Sequence, residues 1–95
     1  MFNMDLLLSK YGDVIATDEK SSKIYEFLKT NISGNDKIII DASNVTISTK
    51  SSRLIFGKLY KELKSKVFLE KISFKNASAL FMFSVNEGIA TELEN

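Results

Sequence analysis

KIIIDASNVTISTKSSRLIFGKLYKEL, residues 37–63, is the stretch on which the fold turns. Ile38, Ile39 and Ile40 form an unbroken β-branched run between Lys37 and Asp41. Such a run, without polar alternation, suits a strand covered on both faces, as in a parallel sheet flanked by helices. A hydroxyl-rich loop follows from Ser43 to Ser52, with Val45 and Ile47 as apolar anchors. Ile55, Leu59 and Leu63 then recur every four residues, with Phe56 and Tyr60 beside them, which is the stripe of an amphipathic helix. Strand, hydroxyl loop and helix start together make a place where binding or chemistry can sit.

Toward the N-terminus, Phe2, Met4, Leu6 and Leu8 alternate with Asn3, Asp5 and Leu7, as in a half-buried strand. A short helix over Asp5–Lys10 is the alternative. Tyr11-Gly12-Asp13 signals a turn, and Val14-Ile15-Ala16 reads as a returning second strand. Thr17 or Asp18 caps a helix that buries Ile24, Phe27, Leu28 and Ile32, and Gly34 ends it in a left-handed conformation. Toward the C-terminus, Ser65–Glu70 reads as a connector with Val67, Phe68 and Leu69 turned inward. Ile72 and Phe74 then form a strand near a sheet edge, given the flanking Lys71 and Lys75. After Asn76-Ala77-Ser78 comes a last helix with Phe81, Val85, Ile89 and Leu93 on one stripe; one of Phe81, Met82 and Phe83 must face outward. The order predicts a single α/β domain over residues 1–95, a mixed sheet of about four strands packed with three helices.

Composition narrows the chemistry. The chain is 95 residues long, 44% hydrophobic and 26% charged, enough for one packed core. It contains neither His nor Cys, which removes the commonest general base, the commonest metal ligand and the most reactive nucleophile. Its four glycines form no phosphate-cradling motif. Asp41, with Asp13 and Asp36, is the one carboxylate set to weigh for a hard cation, but a strand-end Asp more often caps a turn. The expectation is a protein without catalytic residues, cofactor or metal. No apolar run is long enough to span a membrane, and Asp5 stands where a secretory signal carries basic residues, so the expected location is cytoplasmic.

The net charge of +1 is unevenly spread. Residues 50–75 hold seven lysines and Arg53 against Glu62 and Glu70, whereas residues 76–95 hold Glu87, Glu92 and Glu94 and no cation. The near-neutral total and the lack of clustered surface aromatics disfavour nucleic acid. At the hydroxyl loop, Thr49 or Ser51 is the expected helix cap. Lys50 and Arg53 sit in the first turns, where the helix dipole disfavours cations, and so favour an anion or an acidic partner.

IIIDASNVTI followed by STKSSRLIFGKLYKEL resembles the STAS segment of anti-sigma factor antagonists: an apolar strand ending in Asp, a small polar turn, and a Ser-Ser pair opening a helix. It is more similar still to the smaller STAS-like domains, and the likeness extends over YGDVIATDEKSSKIYEFL and LEKISFKNAS, roughly Tyr11 to Ile89. The resemblance implies a STAS-like sandwich acting as a partner-switching regulator, bound to a histidine-kinase-like ATPase or another regulatory protein. The implied phosphoacceptor is Ser51, with Ser52 and Thr49 next, and Lys50, Ser51 and Arg53 form the implied contact surface. Thr49-Lys50-Ser51-Ser52-Arg53 stands where phosphorylated antagonists carry Asp-Ser-Ser-Gly. A monomer or weak dimer is expected. The alternatives are a small anion- or nucleotide-binding module, or an accessory subunit of a toxin, defence or DNA-transaction complex.

Overall fold

The structure, a computed structural model, describes residues 2–95. The isoleucine run becomes β3 (Lys37–Asp41), the middle strand of a sheet completed by β1 (Asn3–Leu7) and β5 (Ile72–Lys75). Both pairings are parallel and in register: Met4, Ile38 and Ile72 align, as do Leu6, Ile40 and Phe74. These two rows face the core. A second, two-stranded sheet pairs β2 (Val14–Ile15) with β4 (Thr46–Ile47), also in parallel, and buries Ile15 and Ile47.

Parallel neighbours need crossover connections, and helices supply them. α1 (Asp18–Asn31) begins at Thr17, whose Oγ1 accepts the Lys20 N–H at 3.2 Å, with Asp18 and Glu19 in the first turn where the helix dipole favours acids. Between β3 and β5 the chain runs through α2 (Thr49–Ser52), a wider π turn (Arg53–Gly57) and α3 (Lys58–Lys71). A backbone break at Lys64 (φ 72°, ψ 161°) interrupts α3. α4 (Ala79–Leu93) is capped by Ser78, whose Oγ accepts the Phe81 N–H at 3.0 Å.

Ile24, Leu28, Ile38, Ile40, Ile55, Phe56 and Leu59 have no exposed surface and meet in one cluster. Phe74 packs edge-on between Phe56 and Phe81, with centroid distances of 5.2 and 5.9 Å. Burying each large aliphatic side chain stabilises the fold by roughly 2 kcal/mol.

Several expectations are corrected. The single mixed sheet of about four strands is replaced by a three-stranded and a two-stranded sheet, in which every pairing is parallel. The 3-10 turn Leu8–Tyr11 and Gly12 (φ 118°) carry Val14–Ile15 away from β1, so the expected return strand pairs with β4 instead. The main sheet is covered on one face. On the other, Asp5 and Leu7 are exposed and Ile39 and Ser73 half-buried. Ser65–Glu70 is helical, and of its three apolar residues only Phe68 is buried. In α1, Tyr25 takes a buried place beside Ile24 and Leu28 while Phe27 is half-buried. The left-handed glycine is Gly12, not Gly34.

Candidate functional site

β4 delivers the chain to Ser48, which caps the second helix: its Oγ accepts the Ser51 N–H at 3.0 Å and its carbonyl accepts the Ser52 N–H at 2.9 Å. Thr49 and Ser51, the expected caps, lie one and three residues further in. That offset sets which hydroxyls face inward, because each helical residue turns by about 100°. Starting from Ser48, the inward face takes Ser51, Ser52, Ile55, Phe56 and Leu59, all buried.

Ser51 is 1% exposed and shares a 2.8 Å hydrogen bond with the Ser21 hydroxyl of α1. Ser21 is also 2.8 Å from the Thr17 carbonyl, which accepts its one proton, so Ser51 donates within the serine pair. Ser52 is fully buried, and its hydroxyl has no hydrogen-bond partner among the described residues. It lies against Gly88 of α4, where an added Cβ would come within 2.6 Å of the Ser52 Cβ and 2.5 Å of the Arg53 nitrogen. Gly57 makes the matching approach: a Cβ there would lie 2.9 Å from the Gly88 carbonyl oxygen. The serines and glycines are small because two helices close tightly on this helix start, α1 on one side and α4 on the other.

What remains outside is narrow. Thr49 and Lys50 are exposed, and Arg53 and Leu54 are half-exposed. Lys50 Nζ lies 3.0 Å from Asp18 Oδ1, an ion pair with both side chains largely in water, which adds little to stability. The anion site expected here is thus partly filled from within: Ser48 occupies one N–H and Asp18 engages Lys50. Of the three expected phosphoacceptors, Ser51 and Ser52 are enclosed in the folded chain and Thr49 is open to solvent. A cleft of about 150 Å³ adjoins this rim, lined by Asp18, Ser22, Tyr25, Glu26, Leu54 and Lys58 together with Ser21.

Below the cleft, Tyr25 donates its hydroxyl to Glu62 Oε1 at 2.6 Å, and Lys29 Nζ donates to the same oxygen at 3.1 Å. The Tyr25 hydrogen bond holds the Glu62 carboxyl below its ordinary range, while burial, then Glu62, push the phenol up. Lys58 Nζ sits 4.2 Å from the centre of the Tyr25 ring. Sequence reading missed this Tyr25–Glu62–Lys29 group, as it did Gly57 and Gly88.

Asp41 Oδ1 accepts the Ser43 N–H at 3.0 Å and the Asn76 amide at 3.3 Å, and these bonds hold its carboxyl below the usual value. It thus closes the turn after β3 and ties it to the turn after β5. Asp36 accepts the Phe2 N–H at 2.8 Å, away from Asp41. Among the described residues, no three His, Cys, Asp or Glu side chains are grouped to hold a metal ion, and no helix is long and apolar enough to cross a membrane. Comparison of this chain with protein-family models, with curated proteins and with solved structures gives no match.

Proposed function

We propose that this chain is a STAS-like, non-enzymatic interaction domain of the partner-switching kind, which binds a kinase-like ATPase or another regulatory protein through the helix start around residues 48–56. One observation carries the reading. At the carboxyl end of β4, in the parallel β2–β4 pair, where α/β folds present their sites, a self-capped helix start leaves a rim of Thr49, Lys50, Arg53 and Leu54 beside a cleft. That rim mixes a cation, a half-exposed guanidinium, an apolar residue and one accessible hydroxyl, which suits a protein surface better than a buried small ligand. Thr49 is the hydroxyl within a partner kinase's reach, whereas Ser51 and Ser52 serve the packing.

The test is a photo-crosslinking residue placed at Lys50, with a control at Asn3 on the open sheet face. One defined protein should be captured from Lys50 and not from Asn3, and Arg53→Glu should reduce the capture. Equal capture from both positions contradicts the proposal. So does ATP turnover by the purified chain that is lost in Asp41→Ala.

A further inference from the structure

α4 is apolar on more sides than the core uses. Phe81, Val85 and Gly88 pack inward, yet Leu80, Phe83 and Leu93 stand 69%, 59% and 51% exposed. No charged residue occurs from Ala79 to Asn86. A helix apolar on two sides is normally covered on both. Beside it lies a groove of about 370 Å³, floored by Phe68, Ile72 and Phe74 and rimmed by Leu69, which is itself exposed. β5 forms one side of this groove and is an edge strand of its sheet.

The two rims carry opposite charge. On the α3 side Lys61, Lys64 and Lys66 are exposed, with Glu70 further along the helix and Glu62 engaged by Tyr25 and Lys29 of α1; Lys61 already lies 4.0 Å from Glu92. On the α4 side Glu87 and Glu94 are exposed, and α4 carries no Lys or Arg. A partner of uniform sign would satisfy one rim and oppose the other. A second copy turned by a two-fold axis satisfies both, because acidic rim meets basic rim twice. We propose that the chain forms a two-fold homodimer through the outer face of α4 and the adjoining groove. The proposal stands apart from the helix-start reading, since α4 presents its opposite side to Ser52 and Arg53.

Sedimentation velocity of the whole chain from micromolar to millimolar concentration tests it. Wild type should pass from monomer to dimer. Phe83→Glu and Leu93→Glu should stay monomeric, and Phe83→Glu should keep the melting temperature of the monomer, since its side chain is mostly exposed there. The double variant Glu87→Lys/Glu94→Lys should self-associate roughly tenfold more weakly, and mixing it with Lys64→Glu/Lys66→Glu should restore a heterodimer. A wild type that remains monomeric at millimolar concentration overturns the proposal and assigns this face to a different partner. A dimer of unchanged affinity in Phe83→Glu also overturns it.

Discussion

Ser51 and Ser52 are neighbours with opposite accounts. Ser51 is satisfied through Ser21, while the buried Ser52 hydroxyl has no partner among the described residues. Ser51→Ala should therefore cost about 1 kcal/mol in urea denaturation, whereas Ser52→Ala should be neutral or stabilising by up to about 1 kcal/mol. Equal losses in the two variants would contradict this division. Glu62 supplies a pH signature. Its folded carboxyl lies below the ordinary 4.5, so its contribution is present above that value and is lost as pH falls through the folded pKa. The stability gap between wild type and Glu62→Gln should be full at neutral pH and close in acid. A gap independent of pH would mean that Tyr25 and Lys29 gain nothing from the charge.

At the scale of elements, the close approach of α4 to the helix start depends on Gly57 and Gly88. Gly88→Ala pushes a methyl into the backbone of Ser52 and Arg53, which cannot yield as a flexible side-chain tip would. It should cost about 2–3 kcal/mol in spite of alanine's better helix propensity. Lys64 occupies a backbone region that only glycine enters without strain. Lys64→Gly should accordingly raise stability by about 1 kcal/mol, measured by thermal melting, and a loss of similar size would show that the break is unstrained.

These elements also show what could be read in advance. The isoleucine strand, the strand at Ile72–Phe74 and the Ile55–Phe56–Leu59 stripe follow from local pattern. The open sheet face did not, because Ile39 fits a half-buried position between Asp5 and Ser73 as well as a buried one. The orientation of the hydroxyls hung on which residue caps the helix. Ser48 and Thr49 are both good caps, and tertiary contacts with Ser21 and Gly88 go with the choice of Ser48. The π turn packs against the same distant glycine, an approach that no local signal announced.

For the whole molecule, the sheet's inner rows and three helices share one core, so a charge placed there has no partner. Ile40→Asp should unfold the chain, while Ile39→Asp, on the open face, should be tolerated far better; circular dichroism separates the two outcomes. The helix start faces two ways: the Ser51 hydroxyl ties it to α1 and Ser52 packs against Gly88 of α4, while Thr49, Lys50, Arg53 and Leu54 stay at the surface, the rim proposed above for a partner. The most direct test of that division is the melting temperature of Ser51→Asp beside Thr49→Asp. Thr49→Asp should melt within a few degrees of wild type, an acid in the first turn being favourable. Ser51→Asp should melt far lower, since several kcal/mol from a buried charge corresponds to tens of degrees at roughly 4–8 °C per kcal/mol in a domain of this size. Equal melting of the two variants would contradict the account, because Ser51 would then have room and water enough to carry a charge.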